Sequence, residues 1–313
     1  MTPRTRLGLL AIAAIAAIAA PACRAPLDIF GGNARALVTA PRPVKSRVTA
    51  PTRPEARLAV LWVGHATALV QLDDKFILTD PVFTSTVGLL SRRLVEPGID
   101  PAHLPPIDAV VISHMHFDHL SLGSLETIGP KVRHLFVPQG GLVYVPGMPF
   151  PTDELARWQS WEHEGLRITA APVAHVGFRY GADQWMTTSF TGWVIEYHGL
   201  TVYFGGDTAY HGALFREARR RFPTIDLALF PIAPIAPREY MQRTHVDPPE
   251  ALQAFLDLGA RWFVPVHYDT FVNSSDAPGE AIRALEQARK DKGVDRAAVQ
   301  VLGIGEQRVL VPR

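Results

Sequence analysis

The apolar positions of this chain fall mostly into short runs. Leu58–Val63 and Ala68–Leu72 are broken at Gly64-His65, and Phe76-Ile77-Leu78 stops at Asp80-Pro81. Runs of this length between turn residues predict buried strands, and a proline ends one because it cannot donate to a ladder. Ala109–Ile112, Leu135–Val137, Leu166–Ala171, Leu227–Ile232 and Trp262–Val266 predict further strands. Phe190–Tyr197 and Leu200–Phe204 predict a hairpin around His198-Gly199, and Val299–Leu310 predicts a last hairpin. Helices are predicted over Leu120–Ile128, over the basic stretch Ala213–Phe222, from Asp247-Pro248 to Leu258, and over Pro278–Lys290. Proline is favoured just inside a helix start. Strands alternating with helices in both halves predict an α/β fold of two sheets with helices outside them.

The start of the chain has another pattern. Met1–Arg6 carries two arginines and no acid, Leu7–Ala20 is uncharged and mostly apolar, and Ala20-Pro21-Ala22 precedes Cys23. This is the order of an export signal, and the apolar run is short for a membrane span. Cys23 after the small residues resembles a bacterial lipoprotein signal, in which that cysteine is lipidated and becomes the first residue. Ordinary cleavage after Ala22 would instead leave a soluble exported protein. The expected organisation is a signal peptide over 1–22, a lipidated Cys23 with a proline-rich linker or docked arm to 57, and one domain over 58–313. The expected place is the bacterial envelope facing the periplasm, attached to the membrane through Cys23, with a soluble periplasmic protein as the alternative.

Composition narrows the chemistry. Of 313 residues, 47% are hydrophobic and 19% charged, a globular balance. A net charge of +1 gives no reason to expect a nucleic acid partner. A single cysteine excludes an intramolecular disulfide framework and a multi-cysteine metal site.

The densest chemistry is Ile112-Ser113-His114-Met115-His116-Phe117-Asp118-His119, directly after a predicted strand. Side-chain direction repeats every two residues in extended chain, so His114 and His116 can grip one cation. Asp118 and His119, where the chain bends, can face a second. Imidazole nitrogen and carboxylate oxygen suit zinc. His175, Asp207 and His267 also follow predicted strands, and strand ends are where α/β folds gather a site. Asp80 stands at a strand end too, either capping a turn or orienting a metal-bound histidine.

These residues resemble the metallo-β-lactamase superfamily, which has a strand-end Asp, then HxHxDH, a lone His, a lone Asp and a final His. Here they are Asp80, His114-x-His116-x-Asp118-His119, His175, Asp207 and His267. Within it the chain is most similar to the N-acyl phosphatidylethanolamine-hydrolysing phospholipase D group. The stretches that carry this are Leu61–Thr67, Thr79–Phe83, Gly205–Tyr210, Thr244–Ala251 and Val266–Phe271. It departs at Tyr268-Asp269 and Phe190-Thr191, where the group usually has a Trp-Gly or similar pair. The resemblance implies a four-layer αββα sandwich with the site along one edge of two sheets; the strand and helix pattern only permits it.

The same resemblance implies the roles. His114, His116 and His175 would hold one zinc ion and Asp118, His119 and His267 a second, with Asp207 bridging them. Iron and manganese also accept such donors. A hydroxide shared by two ions would be the nucleophile, and no GxSxG motif competes with it. Asp118 and His245 are expected to take part in catalysis. His245 would contact the phosphate or protonate the leaving group, unless it is a helix cap or surface residue; Asp247 is the better cap. His65 is either an outer partner of the metal ligands or a structural turn residue. His103, His134, His163, His198 and His211 read as ordinary surface or turn residues. Phe178, Tyr180, Trp185, Met186 and Phe190 could line an apolar mouth for an acyl chain, or some could pack the core. The expected activity is that of a phosphodiesterase of phospholipase D-like type acting on N-acyl phosphatidylethanolamine-like lipids, with a small molecule or a phospholipid as substrate. A lactone or carboxylic ester hydrolase of the same fold is the first alternative. A non-catalytic metal- or lipid-binding envelope protein is the second.

Overall fold

In the computed structural model the residues described are 25–45, 47–88, 90–183, 185 and 189–313. The signal peptide, Cys23 and Met186 lie outside them. The strands are β1 Ala56–Gly64, β2 Thr67–Leu72, β3 Lys75–Thr79, β4 Thr86–Val87, β5 Ser91–Arg92, β6 Ala109–Val111, β7 Leu135–Pro138, β8 Thr152–Leu155, β9 Ser160–His163, β10 Leu166–Ala171, β11 Gly192–Tyr197, β12 Leu200–Phe204, β13 Leu227–Pro231, β14 Trp262–Val266 and β15 Gln307–Pro312. The helices are α1 over 25–38, α2 Leu122–Ile128, α3 Gly212–Arg221, α4 Arg238–Met241, α5 Pro248–Leu258 and α6 Glu280–Asp291.

Among the described residues the strands form two large sheets, ordered β15-β1-β2-β3-β6-β7-β8 and β14-β13-β12-β11-β10-β9, with β4-β5 a small ribbon. β3, β6, β7 and β8 run parallel, as do β12, β13 and β14, while the other neighbours in each sheet are antiparallel. Alternation along β1 shows how the layers stack. Leu58, Val60 and Trp62 face a core shared with Ile168, Trp193 and Phe204 of the second sheet. Leu61 and Val63 face the opposite way, into a core with Leu125 and Ile128 of α2. On the far side of the second sheet lie Phe215 of α3, Leu252 and Phe255 of α5, and Leu285 of α6. The order is α2, sheet, sheet, then α3, α5 and α6: an αββα sandwich.

Two sequence expectations change. The stretch read as a linker or arm is helical over 25–38 and docked. Ala36 is buried, Asn33 Nδ2 donates to Val272 O at 2.9 Å, and Gly32 lies against the Val272 side chain. Its prolines fall outside the helix interior, at 26 and from 41 onward, so they do not break it. The last hairpin does not form. Val299 bridges to Phe263 of the second sheet while β15 pairs with β1 of the first, so 300–306 must cross between sheets. Strands β4, β5, β8 and β9 and helix α4 are short or largely polar and carry little periodic signal. No described helix is long and apolar enough to cross a membrane.

Candidate metal centre

Strand ends deliver the site. His65 follows β1, Asp80 follows β3, the 113–119 turn follows β6, His175 follows β10, Asp207 follows β12 and His267 follows β14. His65, Asp80 and His267 have positive φ values of 54°, 33° and 65°, a region that costs side-chain-bearing residues energy and persists where the surroundings impose it. Gly206 (φ 55°) is needed for close approach, since a Cβ there would sit 2.3 Å from Cβ of Ser113.

Donor atoms gather in three overlapping groups, each within 4.8 Å: His65, Asp118, His119 and His267; His114, His116 and His175; and His114, His119 and Asp207. The outer side of each ring fixes its tautomer. Ser113 Oγ gives its one proton to Asp80 Oδ2 at 2.6 Å, so the His114 Nδ1–H donates to that Oγ at 3.0 Å. His119 Nδ1 donates to Asp80 Oδ2 at 2.6 Å, His175 Nδ1 to Thr244 O at 2.8 Å and His267 Nδ1 to Ala233 O at 3.0 Å. Each Nε2 is thereby turned inward, where on losing its proton it can present a lone pair to a cation, the arrangement that outer partners give metal-bound histidines.

The inner edges face one another. His119 Nε2 and His267 Nε2 are 3.1 Å apart, each is 3.2 Å from Asp207 Oδ2, and His114 Nε2 lies 2.8 Å from His116 Nδ1. His175 Nε2 and Asp207 Oδ1 are buried with no hydrogen-bond partner, which such atoms rarely tolerate. This donor set fits divalent transition-metal ions: nitrogen and oxygen only, converging, with outer sides already satisfied.

The electrostatics point the same way. Burial works against charge on His119, but Asp207, Asp118 and Asp80 outweigh it and hold its pKa well above the ordinary imidazole value. Burial is likewise outweighed at His267, where Asp207 and Asp118 push the pKa up to about 9. Burial opposes charge on Asp207 and Asp118 too, yet the histidines around them keep both well below the usual carboxylate range. Two ionised carboxylates, Asp207 buried and Asp118 half-buried, thus demand positive charge between them.

His65 is lowered to about 3 by burial and by His267, so its Nε2 donates as a neutral ring to Asp118 Oδ2 at 2.9 Å. His245 sits between α4 and α5, its ring 5.2 Å from that of His175 and its Nδ1 3.5 Å from Asp207 Oδ2. Burial lowers it to about 4 despite Asp207. Asp247, not His245, caps α5: its side chain accepts from Glu250 N at 2.9 Å. Phe178 packs 4.9 Å from the His116 ring, whereas Tyr180 and Trp185 are exposed.

Three participants had no role in the sequence reading. Ser113 links Asp80 to His114 and stood unremarked inside the histidine stretch. Thr270 Oγ1 accepts from His65 N at 2.8 Å. Arg179 is buried and donates through Nη1 to Met115 O and Leu120 O, both at 2.9 Å, clamping the 113–119 turn. No local pattern signals Arg179, because its partners are carbonyls about sixty residues away.

Asp80→Ala removes the shared acceptor of His119 and Ser113. We expect metal affinity to fall by about 10–100-fold, with about 1–3 kcal/mol of stability lost to the unpaired buried donors. Calorimetric titration of stripped protein checks this, and an affinity within twofold of wild type would remove Asp80 from the centre.

Comparison with known proteins places this geometry. Residues 75–268 match the family described as a β-lactamase superfamily domain. A Mycobacterium tuberculosis protein named only as uncharacterized is 33% identical over 76% of this chain; the chain spans 66% of that relative, just under two thirds. N-acyl-phosphatidylethanolamine-hydrolyzing phospholipase D 1 of Caenorhabditis elegans is 28% identical, over 76% of this chain and 72% of its own length. Among solved structures, Igni18, a metallo hydrolase of Ignicoccus hospitalis, shares the fold with a TM-score of 0.61 at 23% identity, covering 80% of this chain and 97% of its own.

Proposed function

The chain belongs to the metallo-β-lactamase superfamily of metal-dependent hydrolases, and from its centre we propose a dinuclear phosphodiesterase of phospholipase D type, acting on lipids like N-acyl phosphatidylethanolamine. The observation that carries this reading is one largely buried donor set in three overlapping groups, with Asp207 sharing a group with His114 and His119 and lying 3.2 Å from the inner nitrogens of His119 and His267. We assign His114, His116 and His175 to one zinc ion, Asp118, His119 and His267 to a second, and Asp207, with its two oxygens, to both. Two divalent ions there would polarise a phosphoryl oxygen and lower the pKa of water from about 15.7 to about 7.

The remaining work falls to the chain. Asp118, ionised and pinned by His65, presents an acceptor that orients the attacking water. His245, a neutral ring at the edge of the donor set, offers an N–H to an ester oxygen. Asp80 and Ser113 hold His119 and His114 in register while charge moves. The lipid class is supported by the name of the Caenorhabditis elegans relative and by Phe178 packed beside the His116 ring.

The test is a panel of N-acyl phosphatidylethanolamine, a bis-aryl phosphodiester, lactones and carboxylic esters, run on metal-reconstituted protein with metal content measured. About two metal equivalents per chain and turnover of the phosphodiesters are expected. Lactone or ester turnover alone would select the competing hydrolase reading. Metal bound without any turnover would select a binding protein. Chelation should abolish activity and lower the melting temperature; a cation present at about 1,000 times its Kd contributes about 4 kcal/mol.

We also propose that 1–22 is a cleaved signal and Cys23 a lipidated anchor on the periplasmic side. Cys23→Ser should then move the protein from the membrane to the soluble fraction. One acyl chain binds weakly, at about 10⁴ M⁻¹, so firm attachment needs the several chains of a lipoprotein. An unchanged distribution with the signal removed would indicate cleavage after Ala22 without lipidation.

A further inference from the structure

His245 stands between two peptide units, and each is pinned at both of its ends. In the unit before it, the Thr244 carbonyl accepts from His175 Nδ1 at 2.8 Å, and the His245 amide donates to Met241 O at 2.7 Å. In the unit after it, the Val246 amide donates to Thr208 O at 2.7 Å, and the His245 carbonyl accepts from Arg238 Nη1 at 2.9 Å. A peptide unit is planar, so two fixed planes set both soft dihedrals of the residue between them. The direction of the His245 side chain follows from that. Three of these four partners are backbone groups or a histidine already assigned to a metal. The fourth is Arg238, a side chain outside the donor set.

Arg238 is itself held. Its guanidinium pairs with Glu250, and its Nε lies 3.4 Å from Asp247 Oδ2. Those two acids form the capping box of α5: the Asp247 side chain accepts from Glu250 N, and the Glu250 side chain accepts from Asp247 N. α5 is anchored in the core through Leu252, Phe255 and Leu258. A guanidinium is a rigid fork of donors, so the helix start on one side fixes where the His245 carbonyl must lie on the other. The ring end shows what this placement serves. His245 Nδ1 is buried with no hydrogen-bond partner, 3.5 Å from Asp207 Oδ2. The rings of His175 and His267 lie 5.2 and 6.1 Å from it between centroids.

We propose that Arg238 is a positioning residue for hydrolysis: through the His245 carbonyl it holds that ring where its N–H meets an ester oxygen of the substrate. The proposal rests on the reading of His245 as a donor to the substrate. Without the fork, the unit between His245 and Val246 keeps one pin, at Thr208, and can turn about it. A displacement of about 1 Å can cost about 10²-fold in rate.

The test is a double-mutant cycle of Arg238→Met and His245→Ala, with metal content and melting temperature measured on every preparation. Turnover is followed on N-acyl phosphatidylethanolamine, whose alkoxide leaves poorly, or on the lactone or ester that the panel shows to be cleaved if phosphodiesters are not. Arg238→Met should lower kcat by about 10-fold or more and keep KM within about twofold of wild type, since the contact it serves is made in the transition state. In the His245→Ala background the same substitution should change kcat by less than about twofold, because residues that act as one unit are not additive. Arg238→Lys keeps the charge but loses the fork, and should fall between Arg238→Met and wild type. Hydrogen exchange over 241–247, read without substrate, should quicken in Arg238→Met. Loss by the same factor in both backgrounds would make Arg238 a staple between α4 and α5 and overturn the proposal. So would wild-type kcat in Arg238→Met, unchanged exchange over 241–247, or metal falling in step with rate. Full activity in His245→Ala, or no turnover by the wild type, would overturn it together with the role of His245. Cleavage of lactones or esters alone would remove the phosphodiesterase reading and leave the cycle to decide Arg238 on that substrate.

Discussion

Asp207→Ala is expected to bind less metal than wild type and to lose turnover by about 10³-fold or more, the largest effect of any single substitution in this centre. Asp207 stands where the groups overlap: it shares one with His114 and His119 and also faces His267. Its Oδ2 lies 3.2 Å from the inner nitrogens of His119 and His267, and its Oδ1 is buried without a partner. Removing the carboxylate takes away the acceptor that the inner nitrogens of His119 and His267 face and the anion that holds their pKa values up. Asp207→Asn keeps the shape but turns an N–H₂ group toward a cation, so it should lose activity almost as completely. Elemental analysis and turnover on the same preparation check both variants. Wild-type metal content with wild-type turnover in Asp207→Ala would remove the bridging role.

Much of the centre could be read without coordinates, for a physical reason. Each side chain assigned to a metal follows a buried strand, and a buried strand announces itself as a short apolar run. β6, β10, β12 and β14 are such runs, and His114, His175, Asp207 and His267 stand at or just beyond their ends. The supports were legible only in part. Asp80 ends a strand, so its two readings could be named, but its distance from His119 is set by the parallel pairing of β3 with β6. Ser113 and Thr270 act through a hydroxyl, and hydroxyls are too common in turns to stand out. Arg179 and the carbonyls of Ala233 and Thr244 contribute through contacts that only the closed fold brings together.

The periphery was harder to read. Strands β8 and β9 lie at sheet edges, carry charged residues and lack the apolar run that marks central strands. Over 300–306 the chain passes from the edge of one sheet to the edge of the other, and local alternation cannot distinguish that crossing from a hairpin. The helix over 25–38 was obscured by the prolines around it and by its outward apolar face, which breaks the polar-out pattern expected of a surface helix.

His245→Ala is expected to lower kcat by about 10²–10⁴-fold, the usual range for help with proton transfer, while metal content stays at the wild-type value. The ring has no place among the seven side chains assigned to the metals, yet it packs between His175 and His267. The chain holds it there: its amide donates to Met241 O at 2.7 Å, and its carbonyl accepts from Arg238 at 2.9 Å. Burial keeps the ring neutral near pH 7, so it meets the substrate as an N–H donor with its other nitrogen bare. If the ring takes up a proton when the anionic substrate binds and passes it to the departing oxygen, the defect should shrink for substrates with acidic leaving groups, which need no proton as they depart. If the N–H only stabilises a phosphoryl oxygen, the defect should hold steady across leaving groups. A capping role would instead cost about 1 kcal/mol of stability and spare turnover, and Asp247 already fills that place. Were His245 a ligand, metal would fall together with activity. Rate, metal content and melting temperature on this one variant separate the roles, and full activity with unchanged metal would remove His245 from the site.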